Sequence, residues 1–308
     1  MNDKKSQIYV PKYENDALSD VLCLLNLNTT IYHNAKVCGN WQINEHTLGS
    51  TCFHIVTLGS CVLNVPGMYE GTLQYGDLVI FPKELPHTMY PAHTQTGEQQ
   101  HIPIHESQHI DGTGILCGEV HIQHAGHRYL LDALPPLLII PYSEAGEWLQ
   151  ALLKMLVEEN NRIGMASKVI LDKISELLFT YALRHHLSRH TQNTGIFALY
   201  SHPRIARSVR AIHQHPEQSW TLERMAKKAI LSRTTFAETF KRISGWTAGQ
   251  YLTWWRMQLA WSLLKRGMNI SETAEKVGYR SDSSFSRAFK KQFHCSAGKI
   301  RHSENRER

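Results

Sequence analysis

Near the C-terminus of this 308-residue chain one segment occurs twice: Ser232-Arg-Thr-Thr-Phe-Ala-Glu-Thr-Phe-Lys241 returns 49 residues later as Ser281-Asp-Ser-Ser-Phe-Ser-Arg-Ala-Phe-Lys290. In each copy a serine stands where it can cap a helix, small polar residues fill the first turn, and Phe at i and i+4 (Phe236/Phe240, Phe285/Phe289) makes an apolar stripe. Burying the stripe leaves the opposite, polar face of each helix free. Two such faces at a fixed separation suit a periodic partner better than a reaction centre. Duplex DNA is a periodic partner whose grooves admit a helix.

Charge divides the chain at the same place. Residues from Ser201 onward carry 21 Lys/Arg and 8 Asp/Glu, a net +13, whereas the first 200 carry 12 and 19, a net −7. The overall +6 therefore conceals a basic third joined to an acidic two-thirds, which predicts a polyanion-binding C-terminal domain and a separate N-terminal task. No apolar stretch reaches membrane-spanning length, and the first residues lack the apolar run of a secretory leader. The expectation is a cytoplasmic protein with no membrane partner. The six cysteines, Cys23, Cys38, Cys52, Cys61, Cys117 and Cys295, show no CxxC spacing, which argues against a zinc ribbon or a disulfide framework. There is no Gly-rich phosphate loop and no Ser nucleophile elbow, so neither an enzyme nor a bound cofactor is expected.

Residues 17–90 alternate strand-length apolar runs with turn residues, as in Cys52-Phe-His-Ile-Val-Thr-Leu followed by Gly59, which predicts an antiparallel β-barrel or sandwich. The polar stretch Ala92 to Gly114, holding His93, His101, His105 and His109, reads as a long loop. Strand character resumes at Gly114. Two helical patterns follow, Ser143–Asn161 and Ser167–Arg189, suited either to covering the barrel or to pairing two copies of the chain. From Ser201 the pattern is helical throughout, including a helix of about twenty residues over Thr247–Arg266 that joins the two repeat copies.

Helix, short turn, helix, with a second helix of short polar side chains, is the pattern that enters a major groove. In the first copy Arg233, Thr234, Thr235 and Glu238 are expected to face bases, with Ser232 as the cap; in the second, Ser283, Ser284 and Arg287, with Ser281 as the cap. Lys241, Arg242, Arg256, Lys290 and Lys291 are expected at phosphates, which supply affinity without reading sequence. A connecting helix of about twenty residues spans roughly 30 Å, close to the roughly 34 Å between successive groove openings on one side of the duplex. The first copy is expected to carry more base specificity and the second more positioning, because Asp282 repels phosphates unless it caps its helix.

Thr221-Leu-Glu-Arg-Met-Ala, Ser232-Arg-Thr-Thr-Phe, Gln250-Tyr-Leu, Arg256 with Ala260 and Leu263-Leu264, Ala274-Glu-Lys-Val-Gly-Tyr, Ser284-Phe-Ser-Arg-Ala-Phe-Lys-Lys and Phe293 together resemble the AraC/XylS-type transcriptional regulators over about the last hundred residues. Ala248 and Ala297 stand where that family usually has Pro, so two helix starts lack a pre-set φ. Phe53-His-Ile-Val, Gly76-Asp-Leu-Val-Ile-Phe-Pro82 with His87, Leu116-Cys-Gly-Glu and Leu131-Asp-Ala-Leu-Pro-Pro-Leu-Leu resemble the cupin-type sensor domain of a subset of these regulators. The arrangement, including the Cys of the Leu-Cys-Gly segment, is similar to that of a reactive-chlorine-responsive regulator. The expected fold is therefore α+β in two domains: a cupin-like β-barrel over 1–142, a helical hairpin over 143–190 for cover or dimerisation, a linker over 191–200, and an all-α double helix-turn-helix domain over 201–308. The resemblance implies promoter DNA and RNA polymerase as partners, activation as the commoner mode, and a homodimer.

Several readings of the sensor compete. Cys117, with Cys38 or Cys52, can serve as an oxidant sensor, since a thiolate near cations reacts with oxidants, and His121 and His124 follow Cys117 closely. A small effector can bind in the barrel against His54 and His87. Those two histidines can also hold a metal, which would revive a metal-dependent cupin enzyme; the residues after His54 are Ile55-Val56, so the His-x-His pair of such enzymes is incomplete.

Overall fold

The computed structural model describes residues 16–25, 27–44, 48–103, 111–122, 130–160, 164–189 and 195–303. They form two compact units: Leu25–Ser201, and the residues through Leu24 together with His202 onward. Among the described residues no helix is long and apolar enough to cross a membrane.

The first unit holds strands β1 (Leu27–Cys38), β2 (Thr51–Leu58), β3 (Ser60–Val65), β4 (Tyr69–Gln74), β5 (Leu78–Phe81), β6 (Thr88–Pro91), β7 (Gln100–Ile102), β8 (Thr113–Ile122) and β9 (Leu138–Ile140). They make two antiparallel sheets, of six strands in the order β7-β1-β8-β2-β5-β9 and of three in the order β4-β3-β6. β7 lies inside the stretch expected to be a loop and pairs with the end of β1. In β3 the alternation is direct: Cys61, Leu63 and Val65 are buried and the residues between them less so. β2 lies between β8 and β5 and is buried from Thr51 to Thr57, which accounts for its nearly continuous apolar run. Val37, Trp41, Val56, Leu63, Phe81, Met89 and Ile115, drawn from both sheets and the turn after β1, share one core.

Helices α2 (Tyr142–Ala145), α3 (Glu147–Asn160), α4 (Ser167–Arg189) and α5 (Ala198–Ser201) complete this unit. α4 packs on β1 and on α3. Asp172 fixes it to the strand by accepting from the Ile31 N–H at 3.4 Å and, through its carbonyl, from the Thr29 hydroxyl. Positions 195–200, expected to be linker, are instead packed: Ile196, Phe197, Ala198 and Leu199 are buried, as their apolar character dictates.

The second unit comprises α1 (Ala17–Leu25), through Leu24, and α6 (Ile205–Gln214), α7 (Leu222–Ala229), α8 (Arg233–Ser244), α9 (Ala248–Lys265), α10 (Ile270–Lys276), α11 (Asp282–Phe293) and α12 (Ala297–Ser303). The grouping of α1 here departs from the expected sensor domain over 1–142. Its Asp20 Oδ2 lies 3.1 Å from Nδ1 of the buried His213 on α6, whose Nε2 meets the Tyr251 hydroxyl at 2.6 Å and whose ring stacks on Trp255 at 3.5 Å. α9 needs no proline at its start: the Thr247 side chain accepts from the Gln250 N–H at 3.2 Å while the Gln250 side chain accepts from the Thr247 N–H at 2.8 Å. Its 18 residues span about 27 Å.

Candidate functional site

α8 and α11 are built alike. Ser232 caps α8 by accepting from the Thr235 N–H at 3.1 Å, and Ser281 caps α11 by accepting from the Ser284 N–H at 3.3 Å. Phe236, Phe240, Phe285 and Phe289 are fully buried, so each helix is anchored by one face. The opposite faces carry Arg233, Thr234, Thr235, Glu238, Lys241 and Arg242 on α8, and Asp282, Ser283, Arg287, Lys290 and Lys291 on α11, all exposed, with Ser284 half-buried. Each face combines short hydroxyl side chains in the first turn with cations toward the C-terminal end, where they also suit the helix dipole.

The turns before the two helices differ. After α7 the chain reverses through Ile230 at φ 55°, and Leu231 N–H returns to the Ala226 carbonyl at 3.0 Å. After α10 the same reversal uses Gly278 at φ 83°, with Tyr279 N–H on the Ala274 carbonyl at 2.8 Å. A β-branched residue in the left-handed region carries strain that glycine does not.

Arg256, expected at a phosphate, is placed elsewhere. Its Nε donates to the Pro216 carbonyl at 2.9 Å and its Nη2 to the Gln218 carbonyl at 2.8 Å. The guanidinium also lies 5.9 Å from the centre of the Tyr279 ring. A Cβ added at Gly278 would come within 2.5 Å of Nη2. The half-buried cation therefore ties the loop before α7 to the turn after α10. Burial lowers its pKa without discharging it.

In the sheet unit the register gathers a second cluster. Cys117 on β8 stands opposite His33 on β1 and His54 on β2, while Cys52 stands opposite Glu119 and Phe81. Cys52, His54, Cys117 and Glu119 thus share one face. Between Ile31 and His33 the β1 register shifts by a bulge, and the bulged Tyr32 bonds the Cys117 sulfur through its hydroxyl. The Cys52 thiol donates to the Glu84 carboxylate, which also accepts from the Ser50 hydroxyl at 3.0 Å. His87 Nδ1 donates to the Leu85 carbonyl at 2.8 Å, and its ring stacks on Phe81 at 4.5 Å and sits 5.1 Å from His54.

Electrostatics keeps this cluster uncharged at its cysteines. Burial, then the Glu84 carboxylate, push the Cys52 thiol well above the usual thiol range; burial, then Cys61, do the same to Cys117. Burial, and then His101, hold His33 down at about 4, so it is neutral near pH 7. A cavity of about 280 Å³ opens on this region, with Cys117, Tyr32, His33 and His101 among its walls and Gln42 and Gln99 at the exposed side.

Of the expected sensor residues, the structure brings Cys52, Cys117, His54 and His87 into one region, but not Cys38. Cys38 pairs with Gln100 of β7, five positions along β1 from His33, or roughly 16 Å at strand rise. His105, His109 and His124 lie outside the described residues. His121 reaches Glu119 at 3.9 Å. Among the described residues no group of three or more His, Cys, Asp or Glu side chains is placed to hold a metal ion. Sequence reasoning missed Tyr32, His33 and Glu84. The first two depend on a bulge that alternation does not show, and Glu84 on a loop contact.

Comparisons with known proteins find a cupin domain that takes in α1 and a helix-turn-helix domain toward the C-terminus. The profile of the cupin family matches residues 16–188, and that of a helix-turn-helix domain matches residues 225–303. The chain is 30% identical over 295 residues to the RCS-specific HTH-type transcriptional activator RclR of Escherichia coli (strain K12), covering 93% of this chain and 97% of the relative. It is 31% identical over 300 residues to the HTH-type transcriptional regulator AlkR of Acinetobacter baylyi, covering 90% and 96%. A putative AraC-like transcription regulator of Streptomyces lividans is 29% identical over 290 residues, covering 90% and 94%. Among solved structures, fatty-acid-bound ToxT from Vibrio cholerae aligns with 89% of this chain and 95% of its own at 13% identity and a TM-score of 0.37.

Proposed function

The chain belongs to the AraC-like transcriptional regulators that join a cupin domain to a helix-turn-helix domain, and we propose that it reads promoter DNA with two helix-turn-helix units, α7–α8 and α10–α11. The observation that carries this reading is the pair of like-built exposed faces on α8 and α11, held by one helix about 27 Å long, a span that suits successive openings of the major groove roughly 34 Å apart. Thr234, Thr235, Glu238, Ser283, Ser284 and Arg287 are the proposed base-facing residues, with Arg233; Lys241, Arg242, Lys290 and Lys291 are the proposed phosphate contacts. Selecting sites from a random duplex library with the full chain and footprinting them tests it. Arg233→Ala and Arg287→Ala should each relax protection over a different part of the site. Unchanged footprints for both would sink the assignment.

The sheet unit is the proposed sensor, and the geometry favours a small molecule over an oxidant as its signal. Burial pushes both central thiols toward the protonated form, whereas fast oxidation needs a thiolate, and among the described residues the adjoining cavity is lined by hydrogen-bonding groups without a lysine or arginine. An uncharged, polar effector fits such a lining better than an anion or a long hydrocarbon. Hypochlorite treatment before DNA titration separates the two: a loss or gain of binding by the wild type that Cys117→Ser abolishes would restore the oxidant reading. A homodimer through α4 is supported by the exposed apolar side chains Val169, Ile170 and Leu177. The relatives are transcription regulators rather than enzymes, and the role proposed here needs no catalysis. Its activating form would engage RNA polymerase at the promoter.

A further inference from the structure

Two exposed positions are coupled across the turn in both helix pairs, and with opposite charge. In the first pair Glu223, the second residue of α7, holds Arg233, the first residue of α8, through Oε1 and Nε at 3.0 Å. In the second pair Ser271, the second residue of α10, donates its hydroxyl to Asp282, the first residue of α11. The same pair of places therefore fixes the orientation of the first side chain of each groove-facing helix, a cation in one case and an anion in the other.

The atom used by Glu223 matters. A guanidinium presents Nε on its flank and two terminal amino groups, Nη1 and Nη2, at its end. An arginine that reads guanine donates side by side to O6 and N7. Glu223 Oε1 meets the guanidinium on its Nε flank, not at its Nη1/Nη2 end, and 68% of the Arg233 side chain remains exposed to receive a partner. Without that hold the cation would sit at the positive end of the α8 dipole, and it would swing toward the nearest phosphate instead.

We propose that Glu223 is a positioning residue that aims Arg233 at a guanine in the major groove. The inference rests on the reading that α8 enters that groove. It also separates the roles of the two units. Asp282, held by the Ser271 hydroxyl, cannot donate to guanine as Arg233 can. Because Glu223 and Arg233 are both exposed, their pair contributes little to folding, so its effect belongs in base preference rather than stability.

The test uses the full chain and a duplex selected from a random library, with each guanine replaced in turn by adenine or 7-deazaguanine. Wild type should prefer one guanine by about tenfold or more, a preference that Arg233→Ala, which leaves no donor there, removes. Glu223→Ala should reduce the preference at that same guanine to about twofold or less. Glu223→Gln, whose carbonyl still accepts from Nε, should keep an intermediate value. Affinity for non-specific duplex should stay equal or rise in both Glu223 variants, with unfolding temperature unchanged. Full retention of the guanine preference in Glu223→Ala would overturn the proposal, as would a wild-type site in which no guanine depends on Arg233. Failure of the wild type to select any site would count against the DNA-reading function itself.

Discussion

Replacing Arg256 decides between two roles that sequence alone leaves confounded. In the structure its guanidinium makes two charge-assisted hydrogen bonds to the Pro216 and Gln218 carbonyls, at 2.9 and 2.8 Å. Hydrogen bonds to a charged group contribute about 1.5–3 kcal/mol each. Water can replace part of that at a half-buried site, so Arg256→Ala should cost about 2–4 kcal/mol of the second unit's stability. Arg256→Lys keeps the charge but cannot bridge two carbonyls with one planar group, and it should lose about half as much. Urea unfolding followed by tryptophan fluorescence is well matched to the question. Five of the seven tryptophans, Trp220, Trp246, Trp254, Trp255 and Trp261, lie in this unit, and the midpoint should fall by about 1–2 M for an m-value near 2 kcal/mol/M. DNA titrations at several salt concentrations supply the other arm. A phosphate contact would make the slope of log K against log salt shallower by about 0.9 on its removal. An unchanged urea midpoint with a slope shallower by that amount would refute the structural role.

Other consequences follow from single contacts. Thr247→Ala removes the cap of α9 and should cost about 0.5–2 kcal/mol in the same urea assay; an unchanged midpoint would show that the Thr247–Gln250 box is dispensable. Burial lowers the pKa of His213 in the folded chain, against the opposing pull of the Asp20 carboxylate. The unfolded chain therefore takes up the proton first, and stability should be flat above pH 7 and fall as pH drops below about 6.5 toward the folded value; thermal melts should show this, and His213→Gln should flatten it. Folded protein at pH 8 should leave Cys52 and Cys117 unmodified by iodoacetamide while the exposed Cys23 reacts, as read by peptide mass mapping. Rapid labelling of Cys117 would undo the case against a thiolate sensor.

What could be seen in the sequence was what acts over three or four residues. The serine caps at Ser232 and Ser281 and the Phe pairs of α8 and α11 lie within one turn of their partners, so spacing alone exposes them. Arg256 has partners 38 and 40 residues away, and nothing near it in the chain distinguishes a carbonyl from a phosphate as its target. The sensor cluster failed for a different reason. Alternation assigns faces correctly only while the register holds, and the bulge at Tyr32 moves one side chain out of phase, beside a thiol that sequence places on its own. Which strands pair was likewise hidden, because turn spacing reports strand lengths and not which strands meet. α1 escaped notice because the group that orders Asp20 is His213, which sequence distance conceals.

The internal construction of the second unit limits how a signal can act on DNA binding. α8 and α11 are joined by α9, which is capped at its start and carries buried side chains through its length. The core around Met257, Ala260 and Leu264 reaches Phe285, Phe289 and Ile300. Arg256 adds a second tie between the loop before α7 and the turn after α10. Changing the spacing of α8 and α11 would mean opening that core and breaking a charge-assisted bridge. Such a change is costly against the 1–3 kcal/mol over which effectors commonly couple sites. On the proposed reading, control would act on the unit as a whole, through its freedom to present both helices to DNA or its pairing with a second copy, and a substitution that loosens the Arg256 bridge should weaken operator binding with and without effector alike.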